Sequence, residues 1–159
     1  MITVKVDDRA AMARFGPSGI PESVRKNLRA IIPNLTKRLG ALVDANLTGG
    51  LKTRRRLQVK SEMVENPSAL YGRVRTISTS EPFFLPNILE TGAKAHIIRG
   101  INRPDKLLFF EIGGHLISKH EVNHPGFPGI HYAGNALAAM ESEIINGITQ
   151  AVRNGLGPR

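Results

Sequence analysis

Five residues near the C-terminal third carry the most pointed chemical pattern in the chain. His120, Glu121, Val122, Asn123 and His124 spell H-E-x-x-H, and His131 follows seven residues later. On a helix this spacing sets two imidazoles one turn apart, ready to share a zinc ion, with the glutamate as general base. The pattern works only on a helix, and its neighbours oppose one. Pro125 follows His124 directly and disfavours the helical region for that histidine. Gly126 and Pro128 then block continuation. On an extended strand His120 and His124 would stand about 13 Å apart, too far to hold one ion. An extended metzincin pattern would need glycine at 127 and histidine at 130, where this chain has Phe127 and Ile130. The residues therefore predict no zinc site, and the histidines read as hairpin and loop residues.

Other catalytic arrangements are weaker. Ser61, Ser68, Ser78 and Ser80 have no nucleophile-elbow context. Glu62, Glu65, Glu81, Glu90 and Glu111 show no spacing of a working carboxylate pair. No phosphate-binding glycine loop is present. There is no cysteine, which excludes disulfides, thiolate metal sites and a cysteine nucleophile. The expectation is a protein with no catalytic residues, no metal and no cofactor.

Charge points elsewhere. Twenty-two lysines and arginines against 13 acidic residues give a formal net charge of +9. Residues 22–56 hold nine of the cations against Glu22 and Asp44, ending in the run Lys52, Arg54, Arg55, Arg56. Such a sector attracts nucleic acid or an acidic protein partner, or is a solvated helix face followed by a loop.

The elements that must carry these residues follow from periodicity. The 159 residues suit one domain. Residues 2–6 alternate as a short strand. Val24, Leu28, Ile31, Ile32, Leu35, Leu39, Leu42, Val43 and Leu47 recur at three- and four-residue steps, one face of a long amphipathic helix. Pro21 suits its start, Pro33 should kink or split it near Ile32, and Gly49–Gly50 ends it. A mobile basic loop is expected at about 49–57. Strands are expected at 57–64, 70–78 and 88–91, and Arg73 and Arg75 alternate with small residues as on a sheet with one wet face. Residues 92–105 read as a connecting loop. The apolar run 106–112, the pair Gly113–Gly114 and the return strand 115–122 form a hairpin. A second amphipathic helix is expected over 132–154, with Gly155 as its cap. The fold class is α+β: a long N-terminal amphipathic helix and a C-terminal helix packed on an antiparallel β-sheet. No apolar run reaches the ~18 residues of a membrane span, and the first residues lack the features of a signal peptide. A soluble protein made in the cytoplasm is expected.

The chain also resembles a known family. Leu89-Glu90-Thr91-Gly92 followed by His96-Ile97-Ile98 resembles the "E-F-G-T … P-H-x-I" segment of phage minor tail proteins, the tail-completion or neck proteins that include the minor tail protein Z type. Lys106-Leu107-Leu108-Phe109 resembles their "K-A-L-x-F" strand, and Val122-Asn123-His124-Pro125-Gly126 their "V-x-H-P-G". Tyr132 and Ala136-Leu137 fall where the family opens its last helix. Leu89 replaces a phenylalanine, Thr91 and Gly92 are in reversed order, and no P-F-L precedes the final helix. The resemblance implies a virion protein without catalysis, acting at the head-proximal end of the tail in head–tail joining. It implies that Glu90, Gly92, His96, His124, Pro125 and Gly126 are structural. The implied partners are other copies in a ring-like homo-oligomer, neck, tail-terminator or tail-tube proteins, and DNA in the channel as a further candidate, with no membrane. On that reading Lys52, Arg54, Arg55 and Arg56 order against one of these partners. The competing expectation is a basic nucleic-acid-binding domain using residues 22–56.

Overall fold

A computed structural model describes residues 2–7, 20–48, 57–66, 69–79, 85–100 and 107–157. The expected basic loop, with Lys52, Arg54, Arg55 and Arg56, lies outside the described residues. The fold is α+β, and the chain divides into two compact units, one of residues 1–86 with 131–159 and one of residues 87–130.

The first unit is built on helix α1, Glu22–Thr48. Pro21 stands just before it, and its carbonyl accepts the first helical bond from the Arg25 amide at 2.9 Å. Glu22 in the first turn complements the helix dipole. Of the kink or split expected at Pro33, the split does not occur: the helix runs through it. An interior proline costs about 3 kcal/mol, but Ile32 and Leu35 on either side of it are buried. Burying each contributes about 1.5–3 kcal/mol, enough to hold the helix across the break.

The sheet of this unit runs β1–β3–β2, all antiparallel, from β1 (Ile2–Asp7), β2 (Leu57–Asn66) and β3 (Ala69–Ser78). In the β2–β3 register Ser61 faces Val74 and Met63 faces Gly72, while Glu62 faces Arg73 and Lys60 faces Arg75. Period-two alternation thus sends Leu70, Gly72 and Val74 inward and the arginines to the other face. Gly72 and Gly40 let α1 lie close on the sheet, because a methyl group at either would strike Thr36 or Ser61.

Helix α3, Tyr132–Leu156, completes the core. Val24, Leu28 and Ile32 of α1 form one buried cluster with Leu70 of β3 and Ala151 of α3. Ala136, Met140 and Ile144 extend the buried face of α3, as Leu39, Val43 and Leu47 extend that of α1. The two helices are tied at one end by Ser23 Oγ donating to the Gly155 carbonyl at 2.5 Å and Asn27 Nδ2 to that of Ala151 at 3.2 Å. At the other end Asn46 Nδ2 donates to the Tyr132 carbonyl at 3.0 Å. Gly155 does not cap α3 as expected; Gly157 does, at φ 77°. Gly155 lies inside the last turn against the α1 backbone, where its missing side chain gives room. Arg29 bonds both Glu65 of β2 (2.8 Å) and Glu22 (2.6 Å), and this guanidinium holds the Glu65 carboxyl below its ordinary range.

The boundary between the units falls within α2, Leu85–Thr91. The expected strand at 88–91 is therefore a helix. Pro86 at its start is the local signal that favours this outcome, and Thr91 Oγ1 donates back to the Asn87 carbonyl at 2.9 Å. Among its described residues the second unit then holds three two-stranded sheets: β4 (Gly92–Ala93) with β9 (Phe127–Pro128), β5 (His96–Arg99) with β8 (Glu121–His124), and β6 (Leu108–Ile112) with β7 (His115–Lys119). The glycine pair turns the β6–β7 hairpin as expected, with φ 58° at Gly113 and 83° at Gly114. The expected loop at 92–105 is partly strand, and the expected return strand 115–122 breaks at His120 into β7 and β8.

Candidate functional site

The second unit holds the resemblance segments 89–98 and 122–126, while Tyr132 and Ala136-Leu137 lie in the first unit. The β5–β8 register sets His96 opposite His124, across a sequence gap that no local pattern reveals. Their rings stack at 5.0 Å with a 29° interplanar angle, and Phe127 meets His124 edge-on at 6.5 Å. The two imidazoles have opposite hydrogen-bond roles. His96 Nδ1 lies 2.8 Å from the Lys94 carbonyl, an acceptor, so that nitrogen donates. The Gly126 amide donates to His124 Nδ1 at 3.0 Å, so that nitrogen accepts. Stacked rings with fixed tautomers are a structural staple between the two motif segments.

The glycines complete the corner. Gly92 (φ 83°) pairs with Pro128 in β4–β9, and a side chain at Gly92 would meet the Gly129 amide and the Phe127 carbonyl. Gly126 (φ 78°) sits against the backbone of residues 93–95. The Ile130 amide donates to the Leu89 carbonyl in the last turn of α2 at 2.8 Å, tying the end of the second unit back to its start. Exposed Pro125 joins β8 to β9. Gly92, His96, His124, Pro125 and Gly126 thus belong to one small antiparallel arrangement, and Glu90 stands just before it in the last turn of α2.

The H-E-x-x-H residues are not helical. His120 forms a bend and Glu121–His124 is extended strand, as the sequence predicts. Glu121, the would-be general base, bonds Arg99 directly across β5–β8 at 3.1 Å. His131 caps the start of α3 in a left-handed conformation (φ 49°). Among the described residues no three His, Asp or Glu side chains come together in a way that could hold a metal ion.

The most exposed apolar surface among the described residues lies on the hairpin that the sequence marks by its apolar run at 106–112. On the β6–β7 hairpin Phe109 is 66% exposed and Leu116 is 74% exposed. Pairing of Phe109 with Ser118 and of Glu111 with Leu116 puts these four on one face. The other face carries Phe110 and Ile117, which are half-buried. The contiguous run Leu108-Phe109-Phe110 was the signal: with a period of two, it makes both faces of a two-stranded ribbon apolar. A lone two-stranded hairpin is marginal in water, and exposed apolar ribbons with free edges are sites of association.

No protein-family model, no curated protein and no solved structure matches the chain. No helix among the described residues is long and apolar enough to cross a membrane.

Proposed function

We propose that the chain is a non-enzymatic virion protein of the phage neck or tail-completion type, acting at the head-proximal end of the tail where filled head and tail are joined. One observation carries this reading. Two of the sequence segments that resemble the family, 89–98 and 122–126, pair strand to strand through His96 and His124 and lock through Gly92 and Gly126. Segments that only matched in order along the chain are also a unit in space. The exposed face of Phe109 and Leu116 supports the assembly part of the proposal. It is the surface that a neighbouring copy in a ring would cover, and the outer edges of β6 and β7, which pair with no other strand among the described residues, offer backbone groups for pairing. Other neck, tail-terminator or tail-tube proteins are the remaining partners of this reading, and the virion is its location.

The experiment is deletion of the coding gene from its phage genome, followed by electron microscopy of the lysate. Filled heads and complete tails that remain separate, rejoined when the gene is supplied in trans, are the expected result. Normal joined particles from the deletion would overturn the proposal.

A further inference from the structure

We infer that the face of the β1–β3–β2 sheet turned away from α1 is a docking surface for the phosphodiester backbone of duplex DNA. Register places Lys60, Glu62, Arg73 and Arg75 on this one face, with Tyr71 beside them. Among the described side chains of β2 and β3 this face thus holds three cations and one carboxylate. Glu62 Oε1 accepts from both Arg73 (3.3 Å) and Arg75 (3.0 Å), and Lys60 is exposed. The guanidiniums are held rather than free. Arg73 Nη2 donates to the Tyr71 hydroxyl at 2.8 Å and its guanidinium carbon lies 5.3 Å from the ring centre. Both Nε atoms are buried without an acceptor, so the 27% and 40% of side-chain surface that Arg73 and Arg75 keep exposed belongs to the rest of each side chain.

Pre-positioned, under-neutralised guanidiniums are the usual receptors for phosphate oxygens. Residues two apart on a strand stand about 6–7 Å from each other, so Arg73 and Arg75 form a row, and Lys60 widens it. A row of guanidiniums spaced along a strand suits the repeated phosphates of a continuous polyanion better than the scattered carboxylates of an acidic peptide. Contacts of this kind position a duplex without reading its sequence. The +9 charge of the chain draws any polyanion toward it. The inference differs from a DNA role for the 22–56 sector and does not depend on the neck reading. It is tested on the purified chain, so its failure and the failure of head–tail joining are separate results.

The experiment measures the affinity of the full chain for a short mixed-sequence duplex across a salt series. Each phosphate contact adds about 0.9 to the slope of log affinity against log salt. The double variant Arg73→Ala/Arg75→Ala should lower that slope by about 2, with circular dichroism confirming the fold. Glu62→Gln, which releases both guanidiniums, should tighten binding severalfold, a gain that misfolding cannot imitate. Unchanged slope in the double variant, or unchanged or weaker binding by Glu62→Gln, overturns the inference. So does binding lost only when Arg54, Arg55 and Arg56 are neutralised, or preference for poly-glutamate over DNA at equal charge.

Discussion

Replacing Gly155 by alanine should destabilise the protein even though alanine is the better helix former. Alanine gains at most about 1 kcal/mol of helix propensity, less in a last turn. Its Cβ, however, would lie 2.5 Å from Val24 Cα and 2.7 Å from Val24 N, and these backbone atoms cannot rotate away. Overpacking of this kind costs about 1–3 kcal/mol. The shift that relieves it also stretches the Ser23–Gly155 and Asn27–Ala151 hydrogen bonds, each worth about 0.5–1.5 kcal/mol. The net loss is about 1–3 kcal/mol, and at about 2–4 °C per kcal/mol for a chain of this size Tm should fall by several degrees. Gly147 on the same helix is the internal comparison. A Cβ there would meet only the methyl ends of Ile31 (3.0 Å) and Leu35 (3.4 Å), which can move. Gly147→Ala should leave Tm unchanged or raise it by a few degrees. Calorimetry of both variants decides the matter. If Gly155→Ala stabilises as much as Gly147→Ala, the close approach of α1 and α3 is refuted.

Two other perturbations separate the units. Glu65→Gln removes the partner of Arg29, and because the Glu65 carboxyl is held below its ordinary range in the folded chain, its contribution is full above that range and is lost as pH falls through the lowered value. The Tm gap between variant and parent should therefore be open at neutral pH and close in acid; a gap that widens in acid contradicts the pairing. Phe109→Ser with Leu116→Ser should shift purified protein toward monomer in sedimentation velocity at little cost in Tm, since both side chains are mostly in solvent; a large Tm loss would mean they belong to a core.

What the sequence made legible divides by range. The two long helices were readable because Val24 to Leu47 and Leu137 to Val152 repeat at helical spacing over many turns, and the hairpin because Gly113–Gly114 supplies two positive-φ residues. Arg73 and Arg75 alternating with Gly72 and Val74 correctly marked one wet face. Short elements failed. Ile88 and Leu89 are too few to show a period, and Pro86 was the overlooked sign of α2. The pairing of residues 92–99 with 121–128 could not be seen, since nothing local in either segment names its partner. Gly155 looked like a cap because glycine near a helix end usually is one, and only the packing of α1 shows its other role. For the H-E-x-x-H residues, Pro125 and the glycine hairpin sufficed to predict extended structure, while the Arg99–Glu121 pair and the His96–His124 stack needed the fold.

The most direct test of the neck reading is to locate the chain in purified virions, with an epitope tag and gold-labelled antibody viewed by electron microscopy. A single cluster of label at the junction of head and tail is predicted. Label spread along the tail tube, or particles that carry none of the chain, would contradict it.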